Sequence, residues 1–226
     1  MTYTIYGYEN NPRTRIIRII AAAEGINTNE VTVIPRQNVN RDLIIEKFPR
    51  SSGKIPAFEG PKVKLTETIA IAVYLVKISD NSTLLGDGSP EHEAEILSWI
   101  NWANQELLMT FAKWFLPLIP NLSIPAPYDS DSVAAGKKAS LSILNTLEAT
   151  LDGRKYLVGE HITLADIFIV IVLSRALEWV LDSTWRSQHP NCMRHFDMMR
   201  HWGPVKAVVP EFKLIEKETQ NVNPYA

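Results

Sequence analysis

Two short segments hold the residue types best suited to recognition chemistry: Gly53-Lys54-Ile55-Pro56-Ala57-Phe58 and Leu65-Thr66-Glu67-Thr68-Ile69-Ala70. The first has an apolar residue before Pro56, and proline is the residue at which a cis peptide costs little. A cis bond there would turn the Ile55 N–H and C=O outward, where an extended ligand can pair with both as an added strand does. In the second, Glu67 and Thr68 stand where a strand ending near Leu65 hands over to a helix running to about Ile78. The first amides of such a helix lack partners and carry the positive end of its dipole, so a carboxylate is favoured there. Thr68 adds a hydroxyl donor, and Glu67 accepts from an ammonium. A γ-glutamyl group supplies that carboxylate and ammonium side by side. Taken singly, Pro56 reads as a turn proline and Thr66 or Thr68 as a helix cap. Together, at this spacing, the segments point to a site for glutathione.

The elements around them follow from periodicity. Tyr3 to Tyr8 alternates as a strand, Asn10-Asn11-Pro12 breaks it, and Arg13 to Glu24 reads as a helix with Ile16, Ile17, Ile19, Ile20 and Ala23 inward. Gly25 stops that helix. Glu30 to Ile34 is a second strand, and strand-helix-strand over this length implies a parallel pair. A short helix from Asn40 to Lys47, strands at Ala57-Phe58 and Val63 to Leu65, and the helix from Thr68 complete a βαβαββα order. That is an α/β, thioredoxin-like domain over residues 1–79. Residues 80–90 are polar and turn-forming and read as a linker. Residues 91–226 form an all-helical domain, with helical period over Glu91 to about Phe115, Ser132 to about Leu151, Leu164 to about Leu181, Asn191 to about Arg200 and near Val205 to Val209. The proline-rich connection from Pro117 to Tyr128 is long for a bundle and reads as a packed loop or the mouth of a site. Thr163 and Asp166 stand three apart as a capping box, flanked by Ile162 and Ile167 at staple positions.

Composition narrows the function. The 226 residues are 46% hydrophobic and 21% charged, with a formal charge of −2, an ordinary globular profile. Neither that charge nor any basic stripe suits phosphate neutralisation, so nucleic acid is not an expected partner. The N-terminus lacks the pattern of a secretory signal, and the longest apolar run, Ile167 to Leu173, is too short to span a bilayer. One cysteine, Cys192, allows no internal disulfide and fits a reducing, cytoplasmic compartment. His189, His195 and His201 are six apart, off any shared helix face, so no metal is implied.

A domain carrying Lys54-Ile55-Pro56-Ala57-Phe58 and Glu67-Thr68, then Leu84-Leu85-Gly86, then helices carrying Gly159-Glu160-His161-Ile162-Thr163-Leu164-Ala165-Asp166, resembles the glutathione transferases along essentially the whole chain. Phe48-Pro49, Ala126-Pro127-Tyr128 and Thr184-Trp185-Arg186-Ser187-Gln188-His189-Pro190 are similar to the transferase-like domain of the elongation factor 1B gamma subunit in a fungal version. That subunit continues into a linker and a second domain, whereas this sequence stops at Ala226. It is therefore expected to be a free-standing chain similar to the transferases of fungal secondary metabolism, or else a cut piece.

The resemblance implies that glutathione is held as its thiolate, the form that attacks electrophiles. The family's usual sulfur donor is a Tyr, Ser or Cys in the loop after the first strand; here that loop, Tyr6 to Arg15, has neither Ser nor Cys. Tyr8 is the first candidate, the amide of Asn10 or Asn11 an alternative, and Arg13 a source of positive charge, although Tyr8 also fits a half-buried strand aromatic and Arg13 a solvated helix residue. Lys54, Ile55, Pro56, Glu67 and Thr68 are the expected glutathione contacts, Lys54 through the glycyl carboxylate. Along the first long helix Trp99, Trp102, Asn104, Phe111, Trp114 and Phe115 divide between core and an apolar electrophile pocket, with Trp102, Phe111 and Trp114 the candidates for the pocket. The chemistry implied is conjugation, or reversible addition to a conjugated alkene with rotation and elimination. The alternative is a non-catalytic module bound to elongation-factor subunits, and a third possibility is a carrier of apolar compounds. A homodimer is expected on the same grounds.

Overall fold

The computed structural model describes residues 2–120 and 127–226. Strand β1 (Tyr3–Gly7) leads through α1 (Pro12–Ala23) to β2 (Thr28–Thr32) and a short α2 (Arg41–Lys47), then the hairpin of β3 (Ala57–Gly60) and β4 (Val63–Thr66) and helix α3 (Thr68–Lys77). The sheet order is β2-β1-β3-β4. β1 is parallel to β2 and antiparallel to β3, with Ile5 opposite Glu30 and Phe58. β2 begins two residues before the expected Glu30 and ends at Thr32, because Ile34 turns away to bridge to Val39. Alternation on β1 sends Ile5 into the core shared with α1 and α3, and Tyr6 to the opposite face with Val33, Ile44 and Phe48.

The helical part comprises α4 (Pro90–Trp102), α5 (Leu108–Phe115), α6 (Ser130–Thr150), α7 (Leu164–Trp179), α8 (Ser183–Gln188), α9 (Pro190–Arg200) and α10 (Gly203–Val208). This is the expected pairing of a thioredoxin-like domain with an all-α domain. The single helix expected from Glu91 to Phe115 is interrupted by a π-helical stretch, Ala103–Leu107. Helix α7 is buried on all sides from Leu164 to Leu177, as an apolar helix at the centre of a bundle must be, and α1 packs against both α7 and α10. One hydrophobic cluster therefore runs through both halves, from Ile17 and Leu75 to Ile100, Phe168 and Phe196. Leu84 and Leu85 of the polar linker join it, and the Leu84 carbonyl accepts from the Leu164 N–H at 2.9 Å.

The capping box at α7 is larger than its sequence suggests. Asp166 accepts from the Thr163 N–H and hydroxyl, from the Leu157 N–H and from His195 Nε2, all within 3.1 Å, with no exposed surface of its own. His189 stacks on Trp185 with ring centroids 4.1 Å apart, and His201 contacts the Asp197 carbonyl. Among the described residues no three metal-ligating side chains come together, and no helix is long and apolar enough to cross a membrane. The middle of the Pro117 to Tyr128 connection, with Ala126 of the motif Ala126-Pro127-Tyr128, lies outside the described residues.

Candidate functional site

Both segments singled out by their chemistry line one cleft of about 560 Å³ between the two halves. On one side stand Lys54, Ile55 and Pro56; the Ile55-Pro56 peptide is cis. Among the described residues no main-chain group pairs with the Ile55 N–H or C=O. Beside them is the start of α3. Ile71 N–H donates back to the Glu67 carbonyl at 3.1 Å, so the amides of Thr68, Ile69 and Ala70 are the ones without helical partners. Thr68 is the first helical residue and is buried, while Glu67 caps the helix at φ 71° and lines the cleft.

The opposite wall is the N-terminal end of α1, which brings together Tyr8, Asn11 and Arg13. Asn11 is the N-cap. Its Oδ1 accepts from the Thr14 N–H at 2.9 Å and the Thr14 hydroxyl at 3.2 Å, which fixes the amide and leaves its NH2 group as the half able to donate to a ligand. Tyr8 follows β1 directly, and the Arg36 guanidinium lies 5.2 Å from its ring centroid. Arg13 is not a solvated helix residue. Its Nε donates to Asn104 Oδ1 at 2.7 Å and its Nη2 to the Asn104 carbonyl at 3.4 Å. Burial pushes the Arg13 guanidinium down, and the charge of Glu67 opposes that shift.

Tyr8, Asn11, Arg13, Arg36 and Met109 also line a second cavity of about 470 Å³. Its apolar wall is Leu108, Met109, Ala112, Phe115 and Leu116, a single helical stripe, and its far end holds Arg175, Glu178 and Trp179. The pocket residues expected on the long helix need correction here. Phe111 and Trp114 are 0% and 2% exposed and belong to the core. Trp114 stands where α5 meets α6, with Gly136 so close that a Cβ there would meet the Trp114 backbone nitrogen at 3.0 Å. Trp102 packs edge-on against Trp99, centroids 5.4 Å apart, and lines neither cavity. Phe115 is the aromatic of that helix that reaches the second cavity.

Arg36, Met109, Arg175, Glu178 and Trp179 are cavity residues that periodicity did not single out. A signal for Arg175 exists in the sequence, since it is the one basic residue of the mostly apolar α7. Asn104, named on the long helix, lines the first cleft from within the π-helical stretch, which leaves no trace in residue type.

The N-terminal domain model of glutathione S-transferases matches residues 1–77, and the C-terminal domain model matches residues 109–201. Glutathione S-transferase AN1595 of Emericella nidulans is 31% identical over 97% of this chain and 80% of its own length. Glutathione S-transferase psoE of Aspergillus fumigatus is 31% identical over 98% of this chain and 89% of its own. Among solved structures, the GST-like domain of elongation factor 1-gamma from Saccharomyces cerevisiae superposes with a TM-score of 0.81 at 31% identity, covering 96% of this chain and 97% of that domain.

Proposed function

Because the chain belongs to the glutathione S-transferase family, we propose that it binds glutathione in the first cleft and delivers the thiolate to an apolar electrophile in the second. The observation that carries this reading is the convergence of two helix N-termini on one cleft, that of α1 with Asn11 and that of α3 with Glu67 and Thr68. Glutathione as its thiolate has two carboxylates, a thiolate and one ammonium. The ionic side chains lining the cleft are Arg13, Arg36 and Lys54 against Glu67, so the charges are complementary.

In this arrangement the γ-glutamyl carboxylate takes the free amides and hydroxyl at Thr68, and Glu67 takes the ammonium. The cysteinyl main chain pairs with Ile55 as an added strand, and Lys54 meets the glycyl carboxylate. The sulfur then lies at the boundary of the cavities, where the Asn11 NH2 group is the donor held in fixed orientation and the Tyr8 hydroxyl is a second. Donation to the charged form, with the positive end of α1, keeps the thiol ionised. The thiolate adds to an electron-poor carbon and forms the C–S bond. With a conjugated enone, the alkene pair moves onto the carbonyl oxygen as an enolate. Protonation from water gives the conjugate; rotation followed by expulsion of the thiolate gives the geometric isomer and regenerates glutathione. Glutathione consumption in step with product distinguishes conjugation from isomerisation.

The likeness to the elongation factor domain supports a second reading, a binding module for elongation-factor subunits. Isothermal titration with glutathione separates the two. Binding in the micromolar to millimolar range, roughly −8 to −4 kcal/mol, that weakens in Glu67→Ala and Thr68→Ala is expected. A folded protein with no detectable binding would leave the module reading ahead.

A further inference from the structure

Arg175 is 6% exposed, lies near the end of the buried helix α7, and lines the second cavity but not the first. Its Nη1 is paired with Glu178 three residues on. Among the described residues its Nε and Nη2 make no hydrogen bond, and neither is among the side-chain atoms sealed from solvent, so both stay open to a ligand. Glu178 is the one carboxylate among the residues lining the cavity, and Arg13 lines it beside Arg175. Facing this cationic end is the apolar stripe of Leu108, Ala112, Phe115 and Leu116. A buried arginine that faces a pocket with donors to spare suits an anionic ligand better than a purely apolar one, since counter-charge offsets the cost of taking an ion out of water.

We propose that the second cavity selects an electrophile carrying a carboxylate, with the carboxylate on the unused donors of Arg175 and the apolar body along the α5 stripe. The planar guanidinium offers Nε and Nη2 as a fork matched to two carboxylate oxygens. Glu178 then acts as a place-holder that shares Arg175 with the ligand. This names the substrate class for the transferase reading and rests on it for the chemistry, whereas the anion site itself is a binding claim that needs no turnover.

The test uses 3-benzoylpropionate, an unreactive aryl keto acid, and its methyl ester, titrated calorimetrically into the whole chain without glutathione. The acid is expected to bind about tenfold or more tighter than the ester, as a charge-assisted pair contributes. In Arg175→Gln/Glu178→Gln, which removes both charges together and so leaves no unpaired ion, that preference should fall to about unity. In Glu178→Gln alone the acid should bind about threefold or more tighter than in the wild type, because Arg175 loses its competitor. A purely structural ion pair would not give that gain. Absent binding of the acid, an ester that binds as well, or a preference retained in the double variant would overturn the proposal. A parallel glutathione titration keeps the two claims apart: binding of glutathione without acid preference refutes the anion site alone, and acid preference without glutathione binding supports the anion site while the transferase reading fails.

Discussion

Arg13 Nε donates to Asn104 Oδ1 at 2.7 Å, tying the first turn of α1 to the π-helical stretch between α4 and α5. Both residues line the first cleft. The bond thus joins the two halves of the chain at the place where sulfur and electrophile would meet. π-Helical insertions recur at functional sites because they re-aim a side chain that α-helical phase would direct elsewhere.

A hydrogen bond to a charged group is worth about 1.5–3 kcal/mol. Asn104→Ala should therefore lower stability by about 1–3 kcal/mol and weaken glutathione binding, since Arg13 would no longer be held in place. A double-mutant cycle on Arg13→Ala and Asn104→Ala, read by urea denaturation, should give a coupling energy of about 1 kcal/mol or more. Additive effects would mean that the contact contributes nothing.

Glu67 holds φ at 71°, a conformation in which a non-glycine residue costs about 1–3 kcal/mol. The carboxylate is retained there at the cleft edge, facing Arg13 electrostatically. Glu67→Gly should raise thermal stability, by about 1 kcal/mol, while weakening glutathione binding by about tenfold through loss of the ammonium partner. A variant that loses stability would show that the backbone there is not strained, and one that binds normally would remove Glu67 from the site.

Much of this was legible beforehand because it rests on local rules. The cis Ile55-Pro56 peptide, the start of α3 at Thr68 and the N-cap region at Asn11 follow from residue type and short spacing. The apolar period located α1, α6 and α7 to within a few residues. Helix α8, at Ser183–Gln188, is too short to show a period and was not foreseen. Phe111 and Trp114 could not be sorted from Phe115 because α5 has two apolar faces and the one that meets α6 is set by tertiary packing around Gly136; Trp102, at the end of α4, packs on Trp99 instead. Arg175 was not singled out from the sequence, and its approach to Tyr8 and Arg36 comes only from folding.

As a helix cap alone, Asp166 would contribute about 1 kcal/mol or more. It serves as the common acceptor of a buried network that also holds the Leu157 N–H and His195 of α9. Asp166→Ala strands all of these donors in the interior, and about 3–5 kcal/mol should be lost. Asp166→Asn, which keeps one acceptor oxygen, should lose less. Chemical denaturation of the two variants checks the order, and equal loss in both would assign the effect to packing.

Glu148 of α6 reaches across to the start of α9, accepting from the Asn191 N–H at 2.9 Å and the Cys192 N–H at 2.8 Å. Burial raises the pKa of this carboxyl, but the two amide bonds and the nearby charge of His189 outweigh it and hold the group below the ordinary glutamate range. A depressed folded-state pKa means that the unfolded chain binds the proton first. The stabilisation is therefore complete above the unfolded value of about 4.3, and is lost as pH falls through the lower folded value. Glu148→Gln keeps an acceptor oxygen but has no charge to lose, so its deficit of about 1–2 kcal/mol at pH 7 should shrink below about pH 4. The other carboxylates that acid reaches are common to both proteins, so the difference between their urea midpoints isolates Glu148. A deficit that stays constant from neutral pH into acid would show that the carboxylate charge plays no part in anchoring α9.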